Sequence, residues 1–259
     1  MIGVTVPPAR TSRYLPDVRS LAPPVRTRLF CFHHAGGTAS VYADWRAGLR
    51  PEIALLPVQL PGREYRVHDK RIVVMDQLFD ELARELGPLL EGPFAFYGHS
   101  MGATVAYGFA RHLRDTGGPA PEALVLGACP PPDLSHPAAT AEIPDQAALG
   151  RWMAELGGVP DGLLRSPEWL AASTALLRDD LVLTSTYRHR EGGPLRCPIH
   201  VLAGQADPIL PPDQAGRWRE HTTAECTVHL VPGGHFFHRE QPDRLVALLN
   251  QLLRQPTRT

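Results

Sequence analysis

The stretch "GPFAFYGHSMGATVAYGFARHLRDTG", residues 92–117, changes its pattern halfway. Pro93 to Tyr97 is a short apolar and aromatic run, the composition of a buried strand. Ala103 to Arg114 follows a helical period, with Val105, Phe109 and Leu113 recurring every four residues on one face. Between the two lies Gly98-His99-Ser100-Met101-Gly102. A serine flanked this way, where a strand turns into a helix, has the form of a nucleophile elbow. The glycines are required because side chains there would collide with neighbouring strands and with the helix. The G-x-S-x-G string alone is weak evidence, but it predicts partners for which the rest of the chain can be searched.

The rest of the chain supplies a matching frame. Residues 28–34, 52–60, 122–129, 198–204 and 226–231 are further strand-like runs. Residues 40–49, 73–90 and 240–254 have helical patterns. Short apolar strands alternating with helical crossovers imply an α/β fold, a mostly parallel sheet covered on both faces. The alternation breaks at 130–192, where residues 145–158 and 166–190 read as helices and no strand is convincing. This insertion is expected to act as a helical lid over the carboxyl edge of the sheet, where open α/β folds bind ligands. The first 25 residues are rich in Pro and Arg and lack periodicity, so they read as an arm packed on the surface or loose. The whole chain, 1–259, is expected to form one domain.

Composition narrows the function classes. Hydrophobic residues make up 43% and charged residues 20% of the chain, which suits a globular fold. The net charge of -1 gives no sign of a nucleic-acid or anionic-membrane partner. Cys31, Cys129, Cys197 and Cys226 show no C-x-x-C spacing and read as small hydrophobes in a reducing compartment. The N-terminus is unlike a signal peptide, no run is long enough to span a membrane, and the expected location is the cytoplasm. The twelve histidines form no H-E-x-x-H or comparable ligand spacing, so no metal is expected.

The serine needs a base late in the chain. His235 follows Gly233-Gly234 after the last strand and is the candidate. His238 is the competitor, but it lies nearer a helix start and suits a surface or capping role. The orienting acid is expected at the end of the preceding strand. Asp207 in "GQADP" (204–208) fits, while Asp213 reads as the cap of a helix over 214–221. The order Ser, Asp, His is that of α/β-hydrolases. An oxyanion hole requires two backbone N–H groups. Met101, next to the serine, is one candidate. Ala35 in the loop "FCFHHAGGTAS" (30–40) is the other, with Gly36 as its alternative.

Taken together, "FHHAGG", "LPGRE", "GHSMGA", "GQADP" and "PGGHFF", in this order, resemble the stand-alone type II thioesterases of polyketide synthase and nonribosomal peptide synthetase pathways. The resemblance runs from about residue 28 to 250. The chain departs from the usual pattern at His33, where proline commonly precedes HAGG, and its arm is longer. The resemblance implies an α/β-hydrolase that removes aberrant or stalled acyl groups from the phosphopantetheine arm of an acyl or peptidyl carrier protein, without a cofactor of its own. Ser100 would carry the acyl group, His235 would move the proton, Asp207 would orient His235, and Ala35 and Met101 would hold the oxyanion. Arg63 and Glu64 of LPGRE read as a solvated charge pair, since the triad already fills the catalytic roles. A general esterase or an acyltransferase would use the same triad, and a non-catalytic carrier-binding scaffold is the reading from another class. A monomer is expected because no sustained exposed apolar stripe is evident.

Overall fold

The computed structural model describes residues 12–15, 25–134, 145–157 and 166–254 of the chain. Six strands form one sheet: β1 (Thr27–Phe32), β2 (Ile53–Val58), β3 (Phe94–His99), β4 (Ala123–Gly127), β5 (Ile199–Gly204) and β6 (Cys226–Val231). Their order is β2-β1-β3-β4-β5-β6, and every neighbouring pair is parallel. The expected α/β architecture is therefore present. The sheet reverses its direction of growth between β1 and β3, so the turns after these two strands open into one crevice.

Strand β3 illustrates why these runs are strands. All six of its residues are buried. Phe94 and Phe96 point into the core on one side, Ala95 and Tyr97 into the core on the other. The first core is closed by α2 (Met75–Leu86) and α3 (Met101–Asp115), through Leu78, Leu82, Val105 and Phe109. The second is closed by α1 (Trp45–Gly48) and the C-terminal helix Pro242–Leu252, through Trp45, Leu245 and Leu249. Burial on both faces is what a near-continuous apolar strand requires. Truncating a ring such as that of Phe96, which is edge-on to Phe30 and Phe32, would cost about 3–5 kcal/mol.

Local pattern and structure part in a few places. Residues 40–49 do not form one helix. A 3-10 turn (Ala39–Tyr42) precedes the single turn α1, because Tyr42 and Trp45 are both pulled into the core and the Tyr42 hydroxyl donates to the Phe32 carbonyl at 2.8 Å. Helix α2 stops at Leu86 and the chain runs on as a 3-10 turn over Gly87–Leu89, where Pro88 has no N–H to continue the α-helical ladder. Within the N-terminal arm, Tyr14 and Leu15 sit in the core, and the Tyr14 hydroxyl donates to Glu81 at 2.8 Å. Residues 1–11 and 16–24 lie outside the described residues.

Between β4 and β5 two helices are described: α4 (Gln146–Glu155), capped by Asp145, and α5 (Pro167–Ser185), capped by Ser166 with Pro167 in its first turn. Residues 135–144 and 158–165 of the insertion lie outside the described residues. Leu149 of α4 and Leu177 and Leu181 of α5 form a third apolar cluster, which rests on Ala35 in the turn after β1. Beyond β5 lie α6 (Pro212–Ala215) and a 3-10 turn (Gly216–His221); α7 (Phe237–Glu240) follows β6 and leads into α8 (Pro242–Leu252). Asp213 does not cap this region as expected: it lies inside α6, and no side-chain cap hydrogen bond is made there.

Candidate active site

Ser100 stands between β3 and α3 with φ 54° and ψ −118°, a conformation that costs a non-glycine residue energy. The crowding that enforces it is visible at its two glycines. A Cβ on Gly98 would lie 2.1 Å from the Gly102 carbonyl oxygen, and one on Gly102 would lie 2.0 Å from that of Phe32. Only hydrogen fits at either place. The sharp turn lifts the Ser100 side chain above the sheet at the start of α3, while the Ser100 N–H stays bonded to the Gly127 carbonyl at 2.8 Å.

His235 reaches Ser100 from the loop after β6. Its Nε2 is 3.0 Å from Ser100 Oγ. Its Nδ1 is 3.0 and 3.1 Å from the two oxygens of Asp207, in the turn after β5. A carboxylate only accepts, so Nδ1 carries the proton and Nε2 is left to accept from the serine hydroxyl. Asp207 Oδ1 also accepts the Ile209 N–H at 2.8 Å, which holds the carboxylate in place. Both His235 and Asp207 are buried. Three residues 107 and 28 positions apart are thus in contact because their turns leave the same edge of the sheet, those of Asp207 and His235 from the adjacent strands β5 and β6 and that of Ser100 from β3, beyond β4. The close contact of Gly204, whose Cβ would fall 2.5 Å from the Gly234 carbonyl oxygen, brings the last two turns together.

The turn after β1 supplies the other wall. Among the described residues, the N–H groups of Ala35 and Met101 donate to no protein acceptor, whereas the Gly36 N–H donates to Asp180 at 2.7 Å. Of the two candidates in that turn, Gly36 is engaged elsewhere. A cavity of about 380 Å³ lies over Ser100 and His235, walled by Ala35 on one side and by Trp152, Leu156, Trp169 and Leu177 of the inserted helices on the other.

Two expectations fail here. His238 is not at the surface: it is 1% exposed, and its ring, tilted by 35°, lies 3.8 Å from that of His99. His34, His99 and His238 form a buried group beside His235, and burial lowers the pKa of each, that of His34 to about 3, so they are neutral at pH 7. Arg63 is not solvated either. It is 5% exposed and meets Asp180 of α5 with two hydrogen bonds, at 2.8 and 2.7 Å. Its motif marked it in the sequence, but its partner lies 117 residues away and belongs to no motif. Glu64, at φ 46°, accepts from the Ser40 hydroxyl. Cys31, Cys129, Cys197 and Cys226 are all free thiols.

Comparison with known proteins places this geometry in a family. The model of the thioesterase domain matches residues 27–254. The linear gramicidin dehydrogenase LgrE of Brevibacillus parabrevis is 35% identical over 229 residues, 87% of this chain and 87% of that one. Thioesterase PikA5 of Streptomyces venezuelae is 34% identical over 221 residues, 85% of this chain and 78% of that one. The structure of the type II thioesterase BorB from the borrelidin biosynthetic cluster superposes with a TM-score of 0.81 at 33% identity, covering 93% of this chain and 98% of BorB. This chain belongs to the thioesterase domain family.

Proposed function

We propose that the protein is a type II thioesterase that hydrolyses acyl thioesters on the phosphopantetheine arm of carrier proteins in antibiotic biosynthesis. The observation that carries the reading is the unbroken relay Ser100–His235–Asp207, at 3.0 Å per step, under an apolar cavity. Two relatives named as thioesterases, PikA5 and BorB of the borrelidin biosynthetic cluster, support it.

The residues divide the chemistry as follows. Ser100 Oγ attacks the thioester carbonyl carbon while His235 Nε2 takes its proton. Asp207 stabilises the imidazolium that results. The negative oxygen of the tetrahedral intermediate is held by the N–H groups of Ala35 and Met101. Collapse breaks the carbon–sulfur bond, and the leaving thiolate receives the proton from His235. Water, deprotonated by the same nitrogen, then attacks the Ser100 ester and releases the acid. The chain needs no cofactor for these steps, since the pantetheine arm belongs to the partner. The helices α4 and α5 act as a lid whose tryptophans receive the acyl group.

One relative is named a dehydrogenase. The turn after β1 here reads His33-His34-Ala35-Gly36-Gly37, without the glycine spacing of a dinucleotide cradle. Acyl transfer is therefore preferred. The deciding measurement compares thiol release from acyl-loaded carrier proteins and acyl-pantetheine with turnover of matching oxygen esters. Faster release from the carrier-bound thioesters is expected. Ester turnover with little thioester activity would leave a general esterase.

A further inference from the structure

The pair Arg63–Asp180 has no part in the relay, yet it joins three elements of the site. Asp180 comes from α5 and Arg63 from the turn after β2. Both side chains are nearly inaccessible, at 4% and 3% exposure. Arg63 Nη1 donates both to Asp180 Oδ2 and, at 3.0 Å, to the Gly37 carbonyl. The same Asp180 oxygen accepts the Gly36 N–H at 2.7 Å. The peptide group before Gly36, which is at φ +74°, and the one after Gly37 are therefore gripped by one ion pair. Leu177, one turn before Asp180 on the same helix face, packs on Gly36 and Ala35.

Sealing two charges away from water is expensive, and a fold gains little stability from it over apolar residues of the same size. What the pair does supply is position. With the Gly36 N–H held by Asp180, the preceding N–H, that of Ala35, is left without a protein acceptor among the described residues, in the wall of the cavity over Ser100. We propose that Arg63 and Asp180 are positioning residues that make the oxyanion hole depend on the seating of α5: the hole is formed when the helix is docked and loosened when the helix departs. This rests on the reading of Ser100 as the acyl-accepting nucleophile. Its consequence is a site that is competent for acyl transfer only once the helix has closed over its substrate. The partly exposed ion pair Arg71–Asp179, 2.9 Å, ties the neighbouring residue of α5 to the same loop and guides the docking.

The test uses the full chain with Arg63→Met/Asp180→Leu, which exchanges the ion pair for apolar side chains, and with Arg63→Lys, which keeps the charge but cannot serve Asp180 and Gly37 together. Steady-state hydrolysis of a p-nitrophenyl ester and of an acyl-pantetheine thioester is measured per titrated active site, beside the urea midpoint. Misplacing one oxyanion donor predicts kcat lower by about tenfold to a hundredfold in both variants, with KM within about twofold and no matching loss of stability in the double variant. Amide exchange of residues 33–38 should quicken while that of α3 is unchanged. If the double variant does not fold, Arg63→Lys decides alone. A kcat per active site within twofold of wild type, or activity lost only in proportion to folded protein, overturns the proposal. A wild-type chain active on neither substrate would instead overturn the reading of Ser100.

Discussion

His99, the residue before the elbow serine, donates from Nε2 to the carbonyl oxygen of His235 at 2.7 Å. The elbow thus holds the loop that carries His235. A carbonyl only accepts, so the Nε2 proton is assigned, and Nδ1 is free to accept from the Tyr97 hydroxyl at 3.2 Å. Burial keeps this imidazole neutral, which suits a donor of a single proton. His99→Phe is expected to leave the His235 carbonyl buried and unpaired, costing about 1–3 kcal/mol of stability. It should lower kcat by about tenfold or more with little change in KM, because His235 loses its fixed position. Tyr97→Phe should do far less. Steady-state kinetics with urea unfolding of the two variants would check this.

Replacing Ser100 by Ala should lower kcat by at least about a thousandfold, and Asp207→Asn by about ten-thousandfold, since the amide favours the wrong His235 tautomer. Asp213→Asn should be silent, because Asp213 is an exposed residue of α6 and the His235 ring bonds to Asp207 instead. Single-turnover acylation with a chromogenic ester separates the three. Equal activity of Asp207→Asn and wild type would contradict the assigned acid.

At the elbow glycines the expected damage is to folding itself. A methyl group at Gly102 would overlap the Phe32 carbonyl oxygen, and one at Gly98 would overlap that of Gly102; both obstacles are backbone and cannot swing aside. Gly98→Ala and Gly102→Ala should each cost about 3 kcal/mol or more, at the upper end of overpacking effects. Gly117→Ala, with open space around its Cβ but φ +74°, should cost less. Denaturant midpoints of the three would rank them.

Acid should destabilise this protein early. His33 and His34 are held near pKa 3, chiefly by burial, and His99 and His238 also lie well below the ordinary value of 6.5. Above pH 6.5 both folded and unfolded chains carry them neutral, and they do not affect stability. Below it the unfolded chain takes up protons that the fold excludes. Stability then falls with pH, by up to about 1.4 kcal/mol per pH unit for each such residue, a fall that for His33 and His34 continues to about pH 3. His238→Phe should flatten this slope by about one proton. It should cost little at pH 7, because neither His238 ring nitrogen has a hydrogen-bond partner among the described residues. Urea midpoints between pH 5 and 8 would measure both effects.

The strands, the elbow and the order Ser100, Asp207, His235 are legible in the chain alone. Each is written in local signals: unbroken apolar runs for strands buried on both faces, glycines where a Cβ cannot fit, and a glycine-flanked histidine after the last strand. Such signals are local because the constraint is local, a steric or hydrophobic demand on neighbouring residues. Tertiary structure alone decided the environment of His238 and of Arg63. A histidine near a helix start and an arginine after Pro-Gly both read as surface residues. Whether they are buried depends on what the fold lays over them, here the rings of His34 and His99 and the helix carrying Asp180. The N–H groups of Ala35 and Gly36 are told apart in the same way. Both N–H groups lie in one tight turn, and only the distant carboxylate of Asp180, by accepting the second, separates them.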